Sequence, residues 1–332
     1  MSRPPALSVR NLRTVFDTQA GMLTAVNGVS FDIGPGEIHG LVGESGSGKS
    51  ITAFSIMSLL EPPGRVAEGE ILLNGREIGT LGAREKQRLR GREISMVFQD
   101  PMMTLNPLLT IRSQMVDAIQ VHERVSRQAA SDRAEAMLAK LGIPSPRERL
   151  DAYPHQFSGG MRQRTAIAIA LLNSPSVILA DEPTTALDVT IQAQILYEVR
   201  ELARDIGTAF LWITHDLSVV SGLADSLSVM YMGRIVEQGD TSTVLEAPRH
   251  PYTRGLIDSL PAMNRRGEPL RQIDGLAPPL DQLPAGCSFR PRCKRASARC
   301  AEAVPELRPA PTGQPGAQLI RCYHPIIEER TP

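Results

Sequence analysis

Eight consecutive residues, Gly43 to Ser50, carry the pattern G-x-x-x-x-G-K-[S/T]. Glycines in such a loop let backbone N–H groups turn inward around phosphate oxygens, and a helix that follows adds its positive end. Lys49 can reach the β- and γ-phosphates of a nucleotide, and the Ser50 hydroxyl can ligate Mg²⁺. The pattern predicts nucleotide binding through Gly43, Glu44, Ser45, Gly46, Ser47, Gly48, Lys49 and Ser50, but not yet hydrolysis.

A second chemical feature is a pair of carboxylates, Asp181 and Glu182, directly after the apolar run Val177 to Ala180. At a strand end, Asp181 would lie beside a metal bound at Ser50, which leaves Glu182 to orient or deprotonate an attacking water, as phosphoryl transfer requires. Acidic pairs also follow apolar runs on ordinary surfaces. Together with the glycine loop, however, this pair supplies the complementary half of a magnesium–nucleotide site.

The elements that must position these residues follow from periodicity. The run Ile38 to Val42 predicts a strand before the loop, and the residues after Lys49 predict a helix to about Leu60. Two β-patterned runs, Leu7 to Val15 and Val26 to Ile33, predict a hairpin. Further strands are expected at Gly69 to Leu73, Ile94 to Phe98, Val177 to Ala180 and Phe210 to Ile213, and helices within Ile111 to Leu141, from near Gly159, and from about Ile191 to Asp205.

This alternation of strands and helices predicts an α/β fold with a largely parallel sheet covered on both faces. After His250 the composition changes, because prolines recur at positions 251, 261, 269, 278, 279 and 284 and interrupt any long element. We therefore expect a domain boundary near residue 245. No internal repeat is evident.

Composition excludes several classes of function. The chain has 332 residues and a formal net charge of +0, without a long run of like charge, which argues against a protein that holds nucleic acid through its phosphates. No apolar stretch approaches the roughly 18 residues needed to cross a bilayer. Met1 to Asn11 lacks the apolar core of a secretory signal, so a cytoplasmic location is expected.

A family resemblance rests on six motifs in the family's order. Besides the glycine loop and the acidic strand, Phe157 to Arg164 resembles the signature motif of ABC-type ATPases. Gln99 resembles the family's Q-loop, Ala186-Leu187-Asp188 its D-loop, and His215 its switch histidine. The resemblance covers roughly residues 7 to 240. It implies an ABC-type P-loop cassette with a RecA-like core, an antiparallel β subdomain and a helical subdomain at about residues 103–170.

The resemblance also implies roles for individual residues. Glu182, His215 and Gln99 would be catalytic, and Ser50, Gln99 and Asp181 would hold Mg²⁺. Ser158, Gly159 and Gly160 would bind the ATP of a partner cassette, since two cassettes of this family sandwich two ATP molecules. Phe16 resembles the aromatic residue that stacks on adenine, with core packing as its rival role. The signature has Phe157 and Met161 where L-S-G-G-Q is commoner, but its serine and glycines are intact.

The region from 246 to 332 resembles the C-terminal extension of ATP-binding subunits from bacterial oligopeptide and dipeptide importers, beginning with His250-Pro251-Tyr252-Thr253. The alternative interpretation is that this run is only a turn at a domain junction. The resemblance implies that residues 1–245 form the ATPase domain and that the extension follows it. It also implies that the chain works on the cytoplasmic face of the bacterial membrane. Its partners would be a second, homologous but different cassette, two transmembrane permease subunits and an extracytoplasmic peptide-binding protein, with no nucleic acid.

The four cysteines all lie in this extension, at Cys287, Cys293, Cys300 and Cys322. Disulfides are not expected in a reducing compartment. Zinc sites usually show close C-x2-4-C pairs, which are missing here, whereas an iron–sulfur cluster accepts wider spacing. The resemblance favours a [4Fe–4S] cluster, since some dipeptide-importer ATPases carry one in this region. Zinc and unligated thiols stay open as alternatives, and His324 is a spare candidate ligand.

The leading hypothesis is therefore an importer ATPase that binds ATP and Mg²⁺ and couples hydrolysis to peptide uptake. Related cassettes serve nickel, glutathione or sugar-containing solutes, so the same ATPase role in the import of another small solute stays open as the alternative. A soluble ABC ATPase acting on DNA or ribosomes is disfavoured, because no coiled-coil insertion separates Lys49 from Ser158 and only one cassette is present. A non-catalytic redox or metal sensor is disfavoured by the intact Glu182.

Overall fold

The computed structural model describes residues 4–19, 21–185, 187–264, 267, 269–311 and 318–327. Within these ranges the strands are β1 (Leu7–Thr18), β2 (Gly21–Ile33), β3 (Ile38–Val42), β4 (Gly64–Leu73), β5 (Arg76–Glu77), β6 (Ile94–Val97), β7 (Val177–Asp181), β8 (Ala209–Thr214), β9 (Ser226–Tyr231), β10 (Arg234–Asp240), β11 (Arg308–Pro309) and β12 (Gln318–Ile320). The α-helices are α1 (Lys49–Met57), α2 (Ala83–Leu89), α3 (Ile111–Gln120), α4 (Arg127–Lys140), α5 (Pro146–Leu150), α6 (Gly159–Leu171), α7 (Val189–Ile206), α8 (Leu217–Leu223), α9 (Thr241–Glu246), α10 (Pro251–Asp258) and α11 (Arg299–Glu302).

The chain divides into two compact units, each built from segments that are separate in sequence. The first unit includes Asp32–Ile38 and Ile71–Ile213. The second includes Val9–Phe31, His39–Glu70 and the described residues from Thr214 onward. In neither unit does a described helix combine the length and apolar character needed to cross a membrane.

Three buried parallel strands form the centre of the first unit. Strand β7 pairs with both β6 and β8, with Ile94 opposite Val177 and Val177 opposite Ala209. Every residue of these strands is buried, as expected for a parallel sheet with both faces covered. Because parallel strands end at the same edge, the residues that follow Val97 and Asp181 lie along one edge of this sheet.

Helices α3 and α4 of the first unit begin at residues whose hydroxyl groups cap them. Thr110 accepts a hydrogen bond from the Ser113 N–H at the start of α3, and Ser126 accepts one from the Ala129 N–H in α4. This confirms the prediction of two helices within Ile111 to Leu141. Further along the chain, α6 and α7 are joined by a buried ion pair in which Arg164 contacts Glu198 at 2.6 Å.

In the second unit β9 runs parallel to β3 and antiparallel to β10, which in turn pairs antiparallel with β12. The turn between β9 and β10 consists of Met232 and Gly233, with φ of 44° and 77°. Two successive positive φ angles make a type I′ hairpin turn, which requires antiparallel strands. The prediction of a largely parallel sheet is thus correct for β6–β8 and for the β3–β9 pair but wrong for β10, β11 and β12.

The extension after residue 246 packs into the apolar core of the second unit. Tyr252 and Phe289 are buried in one cluster with Val42 from β3 and Val229 from β9. The run His250-Pro251-Tyr252 is more than a junction turn, because His250 caps helix α10 and Pro251 occupies its first turn, where a missing N–H costs nothing. The domain boundary near residue 245 stays a prediction.

Candidate functional site

The glycine loop of the second unit lies between β3 and α1, as predicted. A Cβ at Gly43 would come within 2.1 Å of the Met230 carbonyl oxygen, so any side chain there would collide with backbone. Gly46 and Gly48 have φ of 78° and 102°, in the region that favours glycine. The glycines are therefore required by close approach at Gly43 and by backbone conformation at the other two positions.

Lys49 is buried, and its ammonium donates to the carbonyl oxygens of Gly43 at 2.7 Å and Glu44 at 3.0 Å. The positive charge is thus held inside the curve of the loop. Ser50 follows in the first turn of α1 and is half-buried. A cation inside a glycine loop at a helix start is the arrangement that binds phosphate groups.

The backbone of the loop is fixed by contacts from distant parts of the second unit. The Gly233 N–H donates to the Ser47 carbonyl at 2.8 Å. The Glu44 N–H donates to the Tyr252 hydroxyl at 2.9 Å, and burial raises the pKa of that hydroxyl, which therefore stays protonated. Helix α10 of the extension is in this way hydrogen-bonded to the phosphate loop.

A second contact from the extension reaches the Glu44 side chain. The Arg292 guanidinium holds the Glu44 carboxylate by two hydrogen bonds, of 2.7 and 3.0 Å. The Arg292 side chain is 5% exposed, and its hydrogen bonds to Glu44 raise the pKa of the guanidinium. The two charges form a bidentate pair, the strongest geometry for such ions. Sequence reasoning did not predict this pairing, since nothing local connects residues 248 positions apart.

The first unit brings Gln99, Asp181 and Glu182 to one edge of its sheet. Asp181 is the buried last residue of β7, and Gln99 is exposed two residues after the end of β6. This is the edge at which open α/β sheets bind ligands. The structure thus agrees with the predicted strand-end placement of these residues, while their roles stay predictions.

Glu182 has an unusual backbone, with φ of 45°. Its N–H donates to the Ile213 carbonyl at the end of β8 at 2.9 Å, and its carboxylate accepts from the Thr185 hydroxyl at 3.0 Å. A left-handed conformation costs a non-glycine residue about 1–2 kcal/mol. Such conformations concentrate at functional sites, where surrounding structure enforces them.

The signature residues occupy the start of α6. Ser158 is the cap, and its hydroxyl accepts from the Met161 N–H at 3.3 Å. Ser158 and Gly159 are exposed, whereas a Cβ at Gly160 would lie 2.7 Å from the Ile191 side chain. The unusual Phe157 is buried and belongs to the core. An exposed capped helix start suits an anion supplied from outside the chain.

The remaining predicted site residues are less constrained. His215 is exposed between β8 and α8 and is counted with the second unit. Phe16 is half-buried in β1, and its ring packs so closely on Gly64 that a Cβ there would be 2.8 Å away. In the D-loop, Asp188 caps α7, while Ala186 lies outside the described residues.

The cysteine region does not support the expected cluster. Burial raises the pKa of the Cys287 and Cys293 thiols, and raises that of Cys322 to about 12. In the part of the chain that the structure describes, which includes all four cysteines, no three His, Cys, Asp or Glu side chains converge to hold a metal ion. His324, the spare candidate, instead hydrogen-bonds Ser297 at 2.6 Å. The [4Fe–4S] cluster and the zinc alternative are therefore not supported, although Cys287, Cys293 and Cys300 all lie close enough to Cys322 to contribute to its raised pKa.

Comparison with known proteins agrees with the motifs. Residues 26–185 match the ABC transporter family, and residues 236–300 match the family described as the C-terminal region of oligopeptide/dipeptide transporters. In solved structures, a dimeric post-hydrolysis state of the ATP-binding cassette MJ0796 bound to ADP and Pi has a TM-score of 0.64 and 28% identity, and covers 71% of this chain and 98% of that one. The cbiO1 structure from Clostridium perfringens has a TM-score of 0.63 and 26% identity, and the match covers 73% of this chain and 91% of cbiO1.

Curated relatives extend the likeness to nearly the whole chain. The oligopeptide transport ATP-binding protein OppD of Escherichia coli is 45% identical over 324 residues, which cover 97% of this chain and 94% of OppD. The dipeptide transport ATP-binding protein DppD of Bacillus subtilis is 48% identical over 318 residues, which cover 96% of this chain and 94% of DppD. The chain therefore belongs to the ATP-binding subunits of ABC transporters, in the oligopeptide/dipeptide importer family.

Proposed function

We propose that the chain hydrolyses ATP to drive uptake of di- and oligopeptides across the cytoplasmic membrane. The observation that carries the proposal is the identity of 45–48% to OppD and DppD over 96–97% of the chain, extension included. The geometry of the phosphate loop and of the acidic strand end supports the ATPase part of it. The peptide cargo rests on the relatives alone.

In this proposal the phosphate loop is the main binding element for ATP. Backbone N–H groups between Gly43 and Ser50 surround the phosphates, and Lys49 turns from the loop carbonyls to the phosphate oxygens. The Ser50 hydroxyl, the Asp181 carboxylate and Gln99 are oxygen donors of the kind Mg²⁺ prefers, and by family resemblance they would hold it. When bound, Mg²⁺ would neutralise phosphate charge. Phe16 would stack on adenine.

Hydrolysis is assigned to Glu182, Gln99 and His215. The Glu182 carboxylate, fixed by its constrained backbone, would orient the attacking water and accept its proton. Gln99 would contact the same water, and His215 would donate a hydrogen bond to the γ-phosphate. These roles come from the family resemblance, and the strand-end positions of Gln99 and Glu182 support them.

The exposed signature start suggests where a second cassette contributes. Ser158, Gly159 and Gly160 would bind the γ-phosphate of ATP held by the partner, a homologous but different chain. Two permease subunits would convert cassette closure and opening into alternating access, and an extracytoplasmic binding protein would deliver the peptide. The chain would then work at the cytoplasmic face of the membrane. ATP and Mg²⁺ are its proposed cofactors, and the iron–sulfur cluster is not part of the proposal, because no group of metal-binding side chains is found among the described residues.

The substitution Glu182→Gln tests the proposal in the assembled transporter. It keeps the size and polarity of the side chain but removes the base, so ATP binding should persist while turnover falls by about two orders of magnitude or more. Uptake of labelled di- and oligopeptides into vesicles should stop with it. Unchanged turnover would refute the role of Glu182, and ATP-driven uptake of another solute but no peptide would refute the cargo.

A further inference from the structure

The extension of the second unit lines a cavity that is open to solvent on one side and that the ATPase function does not use. It has a volume of about 470 Å³ and lies beside α10, with further walls from residues 271–274 and 289–295. A volume of this size accommodates a small organic molecule. The walls combine three kinds of surface: apolar groups that include Ile273 and Phe289, cationic side chains, and carboxylates.

Some of the charged walls already have partners. Arg292 is held by Glu44, and Lys294 contacts Asp274 at 3.0 Å. Arg254 and Arg295 have partners as well, Arg295 by donating to the carbonyl oxygens of His324 and Pro325, and Arg271 and Asp258 complete the charged part of the described wall. The cavity therefore offers guanidinium groups and a carboxylate around an apolar surface. Because Asp258 lies at the C-terminal end of α10, a cation beside it also gains from the helix dipole.

This combination selects the chemistry of the ligand. An inorganic anion would be bound by the arginines but would make no use of Phe289 and would be repelled by Asp258. A hydrocarbon would leave the charges without partners. A short peptide with free termini satisfies all three surfaces, since its carboxylate matches a guanidinium, its ammonium matches Asp258, and its side chains cover the apolar wall.

The cavity is connected to the phosphate loop through one residue. Arg292 lines both this cavity and a second one, of about 440 Å³, whose walls include Glu44 and Ser45 of the loop. A carboxylate in the first cavity would compete with Glu44 for the Arg292 guanidinium. Glu44 would then present an unpaired negative charge next to the site of the ATP phosphates, and this repulsion would weaken ATP binding.

We propose that the cavity of the extension binds a short apolar peptide by both of its termini, and that the bound peptide lowers ATP affinity by drawing Arg292 away from Glu44. The choice of a peptide rests in part on the proposed peptide cargo. The imported peptide would thus lower the ATP affinity of the subunit that drives its import.

Calorimetry on the full chain tests the binding, with the dipeptide Leu-Phe as the probe. We expect saturable binding that weakens at least tenfold when the probe is N-acetylated or C-amidated. Asp258→Asn should remove the effect of N-acetylation and Arg271→Gln should weaken binding of the free dipeptide, whereas Arg88→Gln, on α2 of the first unit, should change nothing. No binding at millimolar Leu-Phe, or equal binding of the blocked forms, would overturn the proposal.

The coupling is tested by ATP titration of Glu182→Gln protein with and without saturating Leu-Phe. The apparent Kd for ATP should rise severalfold, and ATP should raise the Kd for Leu-Phe by the same factor, since linkage is reciprocal. Leu-Phe binding that leaves ATP affinity unchanged would overturn the regulatory half. Neither titration involves transport, so a failure here is distinguishable from a failure of peptide uptake in vesicles.

Discussion

In the second unit, the phosphate loop is fixed by contacts from Tyr252 and Arg292 of the extension. In the first unit, Asp181 and Glu182 are positioned by strand β7, at whose end they lie. The loop has little regular structure of its own, so distant side chains must fix it. The acidic pair ends a buried strand whose neighbours on both sides fix its register. Substitutions far from the proposed ATP-binding site should therefore affect the phosphate loop more than the acidic pair.

The largest contrast should come from glycine substitutions. Gly43→Ala places a Cβ 2.1 Å from a backbone oxygen, and should lower the free energy of unfolding by about 3 kcal/mol. Gly160→Ala meets the Cγ2 methyl group of Ile191, a side chain that yields more easily than backbone, and should cost about 1 kcal/mol. Urea denaturation of the nucleotide-free chain measures both. Equal losses would show that the loop is no more tightly enclosed than the signature helix.

The attachment of the extension should depend on a buried carboxylate in β10. Glu237 accepts hydrogen bonds from the Arg249 and His250 N–H groups and from the Gln318 amide. Glu237→Leu leaves these buried donors without an acceptor, so we expect a loss of about 2 kcal/mol in the free energy of unfolding. Glu237→Gln, which keeps one oxygen, should cost less. Wild-type stability of Glu237→Leu would contradict this role.

Acid should weaken the same region through His250. Burial lowers its pKa to about 3, and its Nδ1 accepts from the Tyr252 N–H, which assigns the proton to Nε2. The unfolded histidine takes up a proton near its ordinary pKa of 6.5 and the folded one does not, so the stabilising contribution is present above pH 6.5 and is lost as the pH falls towards 3.

The measurement compares wild type with His250→Asn, which keeps a cap acceptor but cannot titrate. Relative to this variant, wild type should lose about 1 kcal/mol between pH 7 and pH 5.5. Other titrating groups, including Glu237, cancel in the difference. Parallel pH profiles for the two proteins would mean that His250 is accessible to protons in the folded chain.

The same contrast explains what could be predicted from the sequence. The bounds of β3 and the positions of the phosphate loop and β7 follow from local patterns of buried runs and glycines, and the structure confirms them. Helix α1 ends at Met57 rather than near Leu60, because Ser58 adopts a left-handed conformation that no local signal revealed. Strands β9, β10 and β12 were not predicted. The pairs β3–β9 and β10–β12 join distant segments, whereas the β9–β10 hairpin is local and the sequence analysis did not identify its turn.

Contacts between distant residues account for the gaps in the predicted site. Neither Tyr252 nor Arg292 was predicted to contact the phosphate loop, although both contact Glu44. The cysteine spacing suggested a cluster, but no group of metal-binding side chains is found among the described residues, so the cluster stays an unsupported prediction.

The central claim is that the extension supports ATP binding by neutralising Glu44 through Arg292. ATP affinity measured for Arg292→Gln, Glu44→Gln and the double variant tests it directly. Arg292→Gln alone leaves a lone carboxylate beside the phosphates and should raise the Kd for ATP about tenfold, whereas adding Glu44→Gln should return it to within a few-fold of wild type. A double variant that binds ATP as weakly as Arg292→Gln alone would contradict the account.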